Sequence, residues 1–60
     1  MNATDNENII KAQQCADLLA QDLRELLKSK NNLLQEITID MLRDVNKISD
    51  RLIRISKKKD

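Results

Sequence analysis

Apolar residues recur at heptad spacing along nearly the whole chain, and that rhythm restricts the fold more than any other feature. In the first half Ile9, Ala12, Ala16, Leu19, Leu23 and Leu26 follow one another at intervals of three and four. In the second half Leu34, Ile37, Met41, Val45, Ile48, Leu52 and Ile55 do the same, with one additional four-residue step. Such intervals place side chains on one stripe of a helix, whereas a half-buried strand needs alternation. Leu18 and Leu27 widen the first stripe; Leu33, Leu42 and Ile53 widen the second. Glycine, proline and aromatic residues are all absent. That absence suits helix interiors and leaves a sheet without its turn residues or its preferred side chains. An all-α chain is expected.

The rhythm breaks once, at Ser29-Lys30-Asn31-Asn32. Asparagine competes for backbone hydrogen bonds, so it favours helix caps over interiors, and it tolerates the left-handed conformation better than most residues. Asn32 and Gln35 have capping-box spacing, as do Thr4 and Glu7 near the start, which predicts helices beginning near residues 5 and 32. Charge also supports a break. Asp5 and Glu7 precede Lys28 and Lys30 in the first half, and Glu36 and Asp40 precede Arg51, Arg54 and Lys57 in the second. Each half is thereby matched separately to a helix dipole. The expected fold is an antiparallel helical hairpin of about residues 5–29 and 32–57, with an N-terminal cap at 1–4 and a basic tail at 57–60. One continuous coiled-coil helix is the alternative, because Leu26 to Leu33 keeps the seven-residue phase and no glycine stands at the break to end a helix.

Sixty residues make one small domain, and a domain of that size buries only roughly 60% of the surface its unfolded form exposes. Small folds make up the deficit with disulfides, a metal or association. Cys15 is the only cysteine and there is no histidine, so no internal disulfide is available, and neither a metal cluster nor a cofactor is expected. Association remains. The expected function is that of a structural or interaction subunit, joining other helices in a homo- or hetero-oligomeric coiled coil or bundle. Its helix-packing interface is expected at Leu19, Leu23, Leu26, Leu34, Ile37, Met41, Val45, Ile48 and Leu52. Cys15, at the edge of the stripe, is expected to serve as a small, partly buried apolar residue, and Met41 as a filler of gaps.

The residue types give catalysis no support. No histidine is present for acid–base work. Glu36, Asp40 and Asp44 repeat along one helical edge, but an acid catalyst needs a pocket that raises its pKa. No enzyme is expected. Charge is distributed unevenly: residues 1–27 carry two basic and five acidic groups, residues 28–60 nine and five. Lys47, Arg51, Arg54 and Lys58 lie beside the second stripe and are candidate contacts for an anion or an acidic partner helix. The alternative function is a small helical regulator that grips nucleic acid through this basic C-terminal half. Against it stand a net charge of only +1 and the lack of aromatics to stack on bases. No apolar run approaches a membrane span, and residues 1–7 are acidic and polar where a secretory signal is basic and then apolar. A cytoplasmic or nuclear setting, without secretion, is expected. No motif singles out a family.

Overall fold

The first helix starts at an asparagine. In the computed structural model, which describes residues 2–57, Asn2 is extended (φ −81°, ψ 174°) and its Oδ1 accepts the Asp5 N–H at 2.8 Å. Helix α1 runs Ala3–Leu26, so Thr4, the expected cap, is its second residue instead. The asparagine already satisfies an orphan amide of the first turn, and the threonine hydroxyl is not needed there. At the other end the N–H groups of Leu27, Lys28 and Ser29 bond to the carbonyls of Arg24, Glu25 and Leu26 at 3.0–3.1 Å. This three-residue reach tightens the last turn and ends α1 before the polar break is reached.

Residues 27–31 connect α1 to helix α2, Asn32–Lys57. The cap of α2 is Asn31, not Asn32: its Oδ1 accepts the Leu34 N–H at 3.1 Å, and its carbonyl accepts the Gln35 N–H at 3.0 Å. Gln35 therefore closes no capping box. Its Nε2 reaches across the turn and donates to the carbonyls of Ser29 at 2.5 Å and Leu27 at 3.2 Å. A side chain of α2 thus satisfies carbonyls left open where α1 ends, and so fixes the angle between the arms. Among the described residues none has a positive φ, so the turn makes no use of the left-handed asparagine that the sequence suggested.

The arms lie side by side and antiparallel. Helices of this length span roughly 36 and 39 Å, and the longest dimension of the molecule is 46 Å. An unbroken helix over both halves would extend about 75 Å, so the hairpin, and not the continuous helix, is the fold. Among the described residues no helix is long and apolar enough to cross a membrane.

Where the arms touch, small side chains are interspersed among larger apolar ones. Ala16, Ala20, Leu23 and Val45 are buried, and Leu42 packs against them. Thr38 is fully buried, and its hydroxyl donates to the Leu34 carbonyl one turn back at 2.7 Å. That bond removes the desolvation cost which a bare hydroxyl would carry in the core. Ile9 and Gln13 of α1, Leu27 just beyond its end, and Leu34, Gln35, Ser49, Leu52 and Ile53 of α2 are half-buried. The contact line along α1 is therefore Ile9, Gln13, Ala16, Ala20, Leu23 and Leu27. It shares Ile9, Ala16 and Leu23 with the expected stripe but substitutes Gln13, Ala20 and Leu27 for Ala12, Leu19 and Leu26.

Two consequences are measurable by urea denaturation at one fixed protein concentration. Gln35→Ala removes two hydrogen bonds to the end of α1 and should cost about 1–2 kcal/mol; an unchanged midpoint would show that the turn does not need this clamp. Leu23→Asp or Val45→Asp places an unpaired charge between the arms and should abolish cooperative folding, whereas Arg43→Ala, on the exposed side, should change stability by less than about 0.5 kcal/mol. Equal tolerance of all three would mean that the contact line is wrongly placed.

Candidate functional site

Many large apolar side chains of this hairpin are on its outside. Of the residues expected to pack helices together, Leu23 and Val45 lie between the arms at 7% exposure, and Leu34 and Leu52 are half-buried. Leu19, Leu26, Ile37, Met41 and Ile48 are all exposed, Leu19 to 49% and Ile48 to 54%. Met41 is thus no interior filler within the hairpin. Cys15, expected to be partly buried, is exposed as well, because it lies further from the contact line than Ala12, Leu19 and Leu26.

These exposed residues share one face. At 3.6 residues per turn, Ala12, Leu19 and Leu26 sit roughly 80° round α1 from the contact line, and Ile37, Met41, Ile48 and Ile55 sit roughly 90° round α2 from its own. The displacement has the same rotational sense in both helices. In antiparallel neighbours, viewed from one end, both the sense of rotation and the direction of contact reverse, so two such flanks come to the same side of the pair. The opposite flanks confirm this. Asp17, Gln21 and Arg24 of α1 and Asn46 of α2 line one common cleft, and all are displaced from the contact line in the other sense. The hairpin therefore has a polar groove on one side and an apolar face on the other. Leu18, at 60% exposure, points directly away from α2, while Ile10 and Ile39 lie toward the polar side. Single exposed apolar residues of this kind are ordinary on protein surfaces.

Charges border the apolar face along the outer edge of α2. In order from the turn these are Glu36, Asp40, Asp44, Lys47, Arg51 and Arg54, all exposed. Lys58 lies outside the described residues. Arg43 approaches Asp40 at 3.9 Å and Lys28 approaches Glu25 at 2.9 Å; both pairs are open to solvent, where such contacts add little stability. The acidic trio Glu36, Asp40 and Asp44 does not border that cleft. Among the described residues no group of three or more acidic or cysteine side chains is arranged to hold a metal ion.

Several residues of the contact line were hidden by their polarity or size. Gln13, Thr38 and Ser49 are polar, and Ala20 is the smaller neighbour of Leu19. The available signal was a second heptad row, Gln13, Ala16, Ala20, Leu23 and Leu27, running one step round the helix from the more apolar row. No family model, no curated protein and no solved structure matches the chain.

Proposed function

We propose that this chain is a structural or interaction subunit, and that it assembles with other helices through the apolar face of the hairpin to complete a helical bundle. The observation that carries this reading is the apolar surface that the contact between the arms leaves uncovered. Ala16, Ala20, Leu23, Thr38 and Val45 are buried between the arms, while Leu19, Leu26, Ile37, Met41, Ile48 and Ile55 are left exposed on one side. With Leu33 at the border, these side chains leave on the order of 500 Å² open to water, at the upper end of what a soluble monomer leaves in one contiguous patch. Covering that surface at about 25 cal/mol per Å² contributes on the order of 10 kcal/mol before association and ordering costs are subtracted.

The interior between the arms is correspondingly thin. Four buried apolar residues and one partly buried leucine form the core cluster, too little to offset the conformational entropy of a chain this long by a wide margin. Assembly and folding are therefore coupled in this reading, and a cytoplasmic or nuclear setting, with Cys15 reduced, belongs to it. No catalytic step is assigned.

Aspartate substitutions on opposite sides of α1 and α2 test the reading. Leu19→Asp and Ile48→Asp should lower the assembled mass in sedimentation velocity and reduce helicity at the same concentration. Leu18→Asp, facing away from the apolar side, should leave both unchanged. An equal response of the three variants would contradict the proposal.

A further inference from the structure

Resting on the assembly reading above, we infer that the apolar face is covered by a second copy of this chain, packed with its turn at the opposite end, to give a two-fold four-helix bundle. Two observations carry this, one of area and one of charge. The exposed apolar residues of two copies together supply roughly 1,000 Å², about the area that separates a biological interface from an incidental contact. The charged edge of α2 then fixes the direction.

Ala16 and Ala20 lie across the cleft from Val45 and Ser49. The apolar residues of α1, Ala12, Leu19 and Leu26, are centred at Leu19, and those of α2, Ile37 to Ile55, between Asp44 and Lys47. A two-fold axis through this centre, perpendicular to the helices, leaves the whole face covered and brings each α2 beside its own copy in reverse direction. The edge sequence of α2 is self-complementary in that arrangement: Asp44 meets Lys47 of the second copy, Asp40 meets Arg51, and Glu36 meets Arg54. Each pair occurs twice by symmetry. The other closed arrangement has both turns at one end and sets α2 of one copy beside α1 of the next. There Asp22 falls beside Asp40 and Asp44, and Lys11 beside Arg51 and Arg54, so like charges oppose along the whole edge. Flanking charges of this kind select partner and direction in helical bundles more than they add stability. The reversed order is also free of like-charge contacts along α1, where Lys11 and Asp22 are the only charged residues on the corresponding edge.

A spin label at Lys30→Cys in the Cys15→Ser background measures the direction, since Lys30 is exposed in the turn. Sedimentation equilibrium at the same concentration gives the number of chains. A mass of two chains and a label separation of roughly 30 Å, set by the rise per residue, are expected. A two-chain mass with labels roughly 15 Å apart would mean that both turns lie at one end; this overturns the inference and leaves the assembly reading standing. A mass of one chain, or of more than two, overturns it as well. The assembly reading is then judged separately, by whether the single chain binds an apolar dye that Ile48→Asp abolishes.

Charge exchange tests the edge independently. Asp40→Lys alone should weaken the dimer about tenfold through two repulsive contacts with Arg51, and Asp40→Lys combined with Arg51→Asp in the same chain should restore most of the affinity. Absence of rescue by the double variant would contradict the proposed direction.

Discussion

The whole architecture depends on the contact between α1 and α2, a line on which small residues are interspersed among larger apolar ones. Ala16 and Ala20 on one helix face Val45 and Ser49 on the other, and near the turn Thr38 is enclosed with its hydroxyl turned back onto its own helix. Small side chains at a helix crossing allow the axes to come together, but they bury little apolar surface of their own. Leu19, Leu26, Ile37, Met41 and Ile48 lie outside that line, on a single side of the pair.

The turn makes this arrangement definite. Gln35 donates to two carbonyls at the end of α1, and Asn31 caps α2, so the connection is held from both sides without glycine. Because the arms cannot rotate freely about the connection, the flank of α1 bearing Leu19 and the flank of α2 bearing Ile48 stay on one surface. The cleft opposite is bordered by the polar side chains of Asp17, Gln21, Arg24 and Asn46.

Much of this was legible in the residues themselves. The three-and-four spacing identified both helices, and the polar interruption with its pair of asparagines located the turn. What the pattern did not decide was which part of a wide apolar arc would face inward. Ile9, Ala16 and Leu23 belong equally to a row containing Leu19 and Leu26 and to a row containing Ala20 and Leu27. Apolar weight favours the first row; close approach of two antiparallel helices favours the second. Thr38 and Ser49 carry no apolar signal, yet both stand on the contact line, because size and a local hydrogen bond decide there. The caps were misplaced by one or two residues for a related reason: several side chains near each helix start can accept an amide, and Asn2 and Asn31 do so ahead of Thr4 and Asn32.

The central claim is that the hairpin's outward leucines, isoleucines and methionine hold the fold only when another helical surface covers them. Helicity and molar mass recorded together across a dilution series of the pure chain test it most directly. The account predicts a mass above the 7.0 kDa of one chain at high concentration, with mass and helicity falling in parallel on dilution. A chain that stays fully helical at the mass of a single copy throughout the series would contradict it.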